Sequence, residues 1–149
     1  MDEYDDLTTY MSRNDQIYVE SENYQLKGHD EYISLFDKTL KKVVSSVGNH
    51  YGNPDAFLIS RNEKFVVTGG FGIEVTIIDF FQKEPKYIRS EFFREKDNEW
   101  FIDNLFQIDS DPDDVFRFQC CNDQYDIAEY SLNTKSHELQ LTKIIEEIP

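Results

Sequence analysis

Apolar and polar residues alternate in short runs along most of the chain, with a period near two. The clearest region, residues 57–79, reads FLISRNEKFVVTGGFGIEVTIID, in which two apolar runs flank a charged turn and a glycine cluster precedes a third run. A period of two is that of a pleated strand, whereas a helix would show a period near 3.6. We therefore predict an all-β protein with about twelve short antiparallel strands.

The order of strands and turns repeats along the chain. The middle region reads as four strands, at residues 57–60, 64–68, 73–80 and 86–93, with glycines between the second and the third. The same order of runs recurs about fifty residues downstream and about forty residues upstream, which is the signature of a structural repeat. We predict three four-stranded units, at residues 16–47, 56–93 and 104–145, within one β domain covering residues 1–149.

Two segments break the strand pattern and predict minor helix. One is the first dozen residues at the N-terminus. The other covers residues 95–105, where the apolar side chains between Trp100 and Leu105 would form one short helical turn.

A four-stranded repeat of this length resembles the blade of a β-propeller, and the middle unit resembles a WD40-type blade. In that pattern a turn leads to a strand that ends near glycine, and the next strand ends in Trp-Asp, where this chain has Ile78 and Asp79. The Gly-His pair of the pattern is absent. The resemblance implies a fold unit and no activity. Propellers use about four to eight blades, so either two chains close a six-unit ring or one chain forms an open, barrel-like assembly.

Acidic residues dominate the charge of the chain. It has 149 residues, of which 30 are Asp or Glu and 15 are Lys or Arg, for a net charge of −15. Two acidic blocks, residues 1–31 and 97–129, flank a slightly basic centre. Nucleic acids and anionic membrane surfaces require clustered positive charge, so both are excluded as partners. A basic protein partner is compatible with this charge.

Several features indicate a cytoplasmic protein. A transmembrane helix requires about 18 consecutive apolar residues, and no apolar run in the chain approaches this length. The N-terminal sequence MDEYDDLTTY lacks the apolar core of a signal peptide. The adjacent Cys120 and Cys121 would point to opposite faces of a strand, so we expect both to be reduced thiols.

The sequence offers no set of residues for catalysis, a metal or a cofactor. The three histidines have no ligand spacing, and Cys120 in an apolar strand is expected to be a buried, inert thiol. The TGGFG segment lacks the Lys-Ser/Thr of a phosphate loop. The DSDPDD segment mimics the start of a calcium loop, but Asp114 replaces its glycine and Cys120 its final glutamate. We therefore predict a protein that is not an enzyme.

In size, acidity and lack of motifs, the chain resembles the immunity proteins of bacterial polymorphic-toxin and contact-dependent growth inhibition systems. That resemblance implies binding to a basic toxin nuclease domain and occlusion of its active site, by the chain as a monomer or homodimer. The alternative is a propeller-like interaction or scaffold module. The predicted partner-binding surface is acidic with an aromatic anchor. It consists of Trp100, Asp103, Asp109, Asp111, Asp113, Asp114, Asp123, Tyr125 and Asp126.

Overall fold

The chain folds into antiparallel β-sheets. The structure is a computed structural model that describes residues 16–30, 32–47, 51–78, 86–88, 100–121 and 126–147. These residues contain eleven strands and no helix, which confirms the predicted all-β class. The strands are β1 (Gln16–Glu20), β2 (Tyr24–His29), β3 (Tyr32–Asp37), β4 (Lys42–Val47), β5 (Tyr51–Ile59), β6 (Phe65–Ile77), β7 (Lys86–Ile88), β8 (Phe101–Phe106), β9 (Val115–Cys121), β10 (Ile127–Asn133) and β11 (Leu139–Glu146).

The described strands form two sheets. In the first, β1 to β4 follow one another in a four-stranded meander over residues 16–47. The second has seven strands in the order β11-β10-β9-β8-β6-β5, and β7 pairs with β6 beside this path. Each strand pairs with its neighbours in antiparallel orientation.

The larger hydrophobic core covers one face of the seven-stranded sheet. Alternate residues of β9 and β10 are buried there, as the strand period of two requires. The rings of Phe65 on β6 and Phe116 on β9 lie 6.0 Å apart although β8 separates their strands. The ring of Trp100, just before β8, has its centroid 4.8 Å from that of the Tyr130 ring on β10. The sheet must therefore curve around its own core.

A second core joins the two sheets. It is formed by side chains of β2, β3 and β4 together with Ile59 of β5 and Val66 of β6. At its margin, the rings of Tyr18 and Phe57 stack with their centroids 4.2 Å apart. Strand β6 is consequently buried on both faces for most of its length, which explains its nearly continuous apolar sequence.

A single carboxylate ties the turns of the two sheets together. Glu63, in the turn between β5 and β6, accepts hydrogen bonds from the backbone NH of Asn23 at 2.9 Å and its side-chain amide at 2.8 Å. It also accepts one from the Ser21 hydroxyl. Both donors belong to the turn between β1 and β2. We call this set of contacts the Glu63 clamp.

The middle repeat differs from the prediction. The two strands predicted at residues 64–68 and 73–80 are one strand, β6, of thirteen residues. The glycines between them do not end it. Gly72 has φ of 91°, a conformation that a residue with a side chain rarely adopts. Gly69 lies against β8, because a Cβ at this position would be 2.8 Å from Cγ2 of Ile102.

The three separate four-stranded units are not present as such. Residues 16–47 form the first sheet as predicted, but the strands of the second and third regions belong to one continuous sheet through the Phe71–Phe101 pair. No closed propeller is formed by the described strands. The third region begins earlier than predicted, because β8 covers Phe101–Phe106.

The helix predicted at residues 95–105 is wrong for its second half, which is strand β8. Cross-strand partners on β9 hold this segment extended, with Ile102 opposite Cys120 and Leu105 opposite Phe118. A β-bulge at Asp103 shifts the alternation, which is why the apolar spacing resembled a helical turn. The other predicted helix, at the N-terminus, lies outside the described residues.

Candidate partner-binding surface

The acidic loop, residues 107–114 between β8 and β9, is held by a basic side chain from the turn after β5. The Arg61 guanidinium donates to a carboxylate oxygen of Asp113 at 2.5 Å and to the backbone carbonyl of Ile108 at 2.9 Å. It also donates to the carbonyl of Asp111. Gln107 spans the loop by donating to the carbonyls of Asp113 and Val115 at 3.0 and 3.1 Å. The loop is thus a folded structure with internal contacts.

A second arginine neutralises the base of the loop. Arg117 on β9 makes a bidentate pair with Asp111, at 2.8 and 3.1 Å, and donates to Glu129 on β10 at 3.1 Å. The hydrogen bond from Arg117 lowers the pKa of the Asp111 carboxyl. Burial opposes ionisation of Glu129, but hydrogen bonds from Thr142 and Arg117 outweigh it and lower the pKa of Glu129. Both groups are carboxylates at neutral pH.

These contacts change the interpretation of the acidic loop. Asp114 forms a further ion pair with Lys135, at 3.3 Å. Three of the four predicted loop acids, Asp111, Asp113 and Asp114, are therefore paired with a base of the same chain. The remaining one, Asp109, is exposed. Much of the negative charge that the sequence concentrates here is compensated by folding.

The structure separates the predicted binding residues. Trp100 is 4% exposed and packs on Tyr130 in the core, so its ring is not at the surface as an anchor would be. Asp103 is exposed near the start of β8, and Asp126 is half-buried just before β10. Asp126 is at the opposite end of the strands from the acidic loop, and the seven residues of β9 between the ends span roughly 20 Å. Asp103 is the third residue of β8 and lies four residues before the loop begins. Asp123 and Tyr125 lie outside the described residues.

A row of apolar side chains lies at the end of the sheet near Asp103. Phe71 of β6 is opposite Phe101 of β8, Phe101 is opposite Cys121 of β9, and Cys121 is opposite Ile127 of β10. We call these four residues the aromatic row, after the two phenylalanine rings with which it begins. Phe101, Cys121 and Ile127 lie on the outer face, because the adjacent Ile102, Cys120 and Ala128 are in the core.

Phe71 is the most exposed residue of the row, and the other three are half-buried. Phe71 is 48% exposed, and its ring meets that of Phe101 edge to face with the centroids 5.2 Å apart. A large aromatic side chain left this open at the surface can contribute binding energy to a partner. Asp103 lies two residues from Phe101 on β8, so a carboxylate flanks the rings.

The sequence predicts Trp100 or Tyr125 as the anchor and does not point to Phe71 or Phe101. The alternation on β8 could have placed Trp100 and Phe101 on opposite faces, but the segment was assigned to a helix. For Phe71, the available signal was its position between Gly70 and Gly72. No local pattern predicts that the two phenylalanines meet, since thirty residues separate them in sequence.

The described ranges contain no group of three or more His, Cys, Asp or Glu side chains arranged to hold a metal ion. No helix within those ranges has the length and apolarity needed to cross a membrane. Cys120 is buried and Cys121 is partly exposed, and both are thiols. No protein-family model and no curated protein matches this chain.

Proposed function

We propose that this protein is a non-enzymatic, immunity-type binding protein of the cytoplasm. It neutralises a basic toxin nuclease domain by covering the active site of the toxin. The observation that carries the proposal is the aromatic row beside Asp103, at the surface of a chain with a net charge of −15. This combination provides an apolar anchor, a charged rim and long-range attraction to a positively charged partner.

The chemistry of the row favours an arginine-rich surface on the partner. A guanidinium can lie over a phenylalanine ring within about 6 Å of its centroid and still pair with a neighbouring carboxylate. Phe71 and Phe101 supply the rings and Asp103 supplies the carboxylate. A nuclease domain carries such cations because it must bind phosphate.

The acidic loop has a different role in this proposal. Because bases of the same chain pair with three of its carboxylates, the loop adds little to the negative field. The field that steers a basic partner comes from the net charge of −15 of the whole chain. Steering of this kind raises association rates toward ~10⁸–10⁹ M⁻¹s⁻¹ at low salt. A fast encounter suits a protein that must bind a toxin before the toxin acts.

The propeller-like interaction module is the second candidate. It is favoured by the two meanders of four consecutive strands, β1 to β4 and β8 to β11. In this alternative the four-stranded meander is the repeated unit, and the acidity serves solubility.

The test is a nuclease inhibition assay. The proposal predicts that a basic toxin nuclease domain is encoded beside the gene for this protein. That domain is mixed with the wild-type protein, with the double variant Phe71→Ser/Phe101→Ser, or with Tyr32→Ser as control. Tyr32 is a matched control because it is an aromatic residue, 64% exposed, on the other sheet. Circular dichroism establishes that each variant is folded.

We expect stoichiometric inhibition by the wild type and by Tyr32→Ser, and loss of inhibition with the double variant. Inhibition by a folded double variant at the wild-type concentration would contradict the role of the aromatic row. Absence of inhibition by the wild type would contradict the immunity function itself.

A further inference from the structure

Among the described strands, β11 ends the seven-stranded sheet and presents an apolar edge. It is the last strand in the order of the sheet, and residues 140–147 are exposed. Three of its large apolar side chains, Leu141, Ile144 and Ile145, are among the most exposed in the described chain. An edge of this kind offers unpaired backbone groups to another strand.

Two β-bulges interrupt the pairing of β11 with β10, one at Thr142 and one at Ile145. The one at Ile145 gives this edge a symmetric pattern of faces. Lys143 is opposite Glu129 and Glu146 is opposite Ile127, whereas Ile144 between them is opposite Ala128. Since Ala128 is in the core and its two neighbours on β10 point outward, Lys143 and Glu146 share the outer face. Ile145 is the extra residue of the bulge, so the alternation restarts between Ile144 and Glu146.

We propose that two copies of this protein associate by antiparallel pairing of their β11 edges. In the register we infer, Lys143 of each copy lies opposite Glu146 of the other copy. The isoleucines between them then meet across the two-fold axis. This pairing would extend the seven-stranded sheet continuously from one copy into the other.

The order of charges along β11 favours β11 of a second copy as the strand that pairs with this edge. The segment Lys143–Glu146 has a base, two apolar residues and an acid. When it is read in the opposite direction, the acid comes first and the base last, so the segment is complementary to itself. A two-fold interface requires such self-complementarity, and opposite charges facing each other across two strands are favourable.

The predicted dimer is weak and depends on protein concentration. Strand β11 has eight residues, and pairing along one short edge buries less surface than the roughly 1,200–2,000 Å² of stable interfaces. The aromatic row is on the outer face at one end of the sheet. The row ends at Ile127, which is opposite Glu146 of β11, so the two surfaces adjoin. The rings that carry the toxin proposal, Phe71 and Phe101, are on β6 and β8, and two strands separate β8 from β11. Inhibition and dimerisation are measured separately, so either proposal can fail alone.

The experiment measures molar mass by sedimentation equilibrium over a range of protein concentrations. Two single variants reverse one charge each, Lys143→Glu and Glu146→Lys, and each places like charges opposite each other in the self-pair. A third, Lys143→Glu/Glu146→Lys, restores opposite charges. Thermal unfolding of each variant shows whether its fold is retained, which matters because Lys143 also lies 3.8 Å from Glu129.

We expect the wild type and the double variant to dimerise with similar affinity, and each single variant to dimerise about tenfold more weakly. A mixture of the two single variants should form a heterodimer, because their charges complement each other. A monomeric wild type at every concentration would overturn the proposal and identify the bulged edge as protection against pairing. A dimer that persists unchanged in both single variants would overturn it as well.

Discussion

At the scale of single residues, several carboxylates of this acidic chain have structural roles. Burial opposes ionisation of Glu63, but the hydrogen bonds from Ser21 and Asn23 outweigh it and lower the pKa of this carboxyl. Tyr24 in the nearby core shows the opposite effect, because burial, with Asp37 and Glu63 adding to it, raises the pKa of its phenol. The clamp therefore depends on a charged Glu63.

Substitution of Glu63 by glutamine should weaken the contact between the two sheets. The neutral amide is a weaker acceptor and places a donor group toward the Ser21 or Asn23 donors, so we expect a loss of about 1–2 kcal/mol in the free energy of unfolding. Urea unfolding at neutral pH measures it. The matched control is Glu138→Gln on an exposed turn, where no change is expected. Equal stability of Glu63→Gln and the wild type would contradict the role of the clamp.

Arg117 is a second residue whose ionic contacts stabilise the fold. Its side chain pairs with Asp111 and with Glu129, which is only 6% exposed. Replacing Arg117 by methionine leaves a buried carboxylate without this cation, and we expect a loss of about 2–3 kcal/mol at neutral pH. Lys135→Met removes a surface pair instead and should cost at most about 0.5 kcal/mol.

The effect of Arg117 should depend on pH in a defined direction. The pKa values of Asp111 and Glu129 are lowered in the folded protein, so their stabilising contribution is complete above the ordinary carboxyl pKa and is lost as the pH falls below it. The stability difference between wild type and Arg117→Met should therefore shrink as the pH falls below about 4.5. A difference that stays constant or grows on acidification would contradict this.

At the scale of strands, β6 connects the two cores and its glycines set how closely β8 can approach. A methyl group at Gly69 would be 2.8 Å from the Ile102 side chain. We expect Gly69→Ala to cost about 1–3 kcal/mol through overpacking. The double variant Gly69→Ala/Ile102→Ala removes Cγ2, the atom nearest to the added methyl group, so it should be more stable than the sum of the single changes predicts. Additive effects in thermal unfolding would contradict the close approach.

Most individual strands could be predicted from alternation alone, and their assembly could not. Strand β9 was expected at 114–121 and covers Val115–Cys121, because its buried and half-buried residues alternate strictly. The merging of two repeats into one sheet depends on the Phe71–Phe101 pair, and long-range strand pairing has no signature in a local window. Strand β8 was missed because its bulge at Asp103 disturbs the period of two.

At the scale of the whole molecule, the proposed function assigns attraction of the partner to charge and contact with it to shape. The sequence correctly identified negative charge as the main property of the surface, but it could not show which acids are paired within the chain. Arg61 reaches the acidic loop from about fifty residues away in sequence, so only the folded chain reveals that pairing. In the proposed function, the remaining surface charge supplies attraction and the aromatic row supplies contact.

The charge makes association with a basic partner sensitive to salt. Screening shortens the reach of the field from about 10 Å at 0.1 M to about 3 Å at 1 M ionic strength. We expect the association rate with the toxin domain to fall by at least about tenfold across this range, while the dissociation rate changes less. Stopped-flow fluorescence measures both rates. An association rate that is independent of salt would remove the steering argument.

The most direct measurement of the central claim is the affinity of the toxin domain that the proposal predicts for surface variants of this protein, determined by isothermal titration calorimetry. Truncation of an interface anchor costs about 2 kcal/mol or more. We therefore predict that Phe71→Ser/Phe101→Ser lowers the affinity by at least about thirtyfold, whereas Asp109→Asn in the acidic loop changes it by less than about threefold. Undiminished affinity of the folded aromatic variant, with a large loss on changing Asp109, would contradict the claim that the aromatic row is the binding surface.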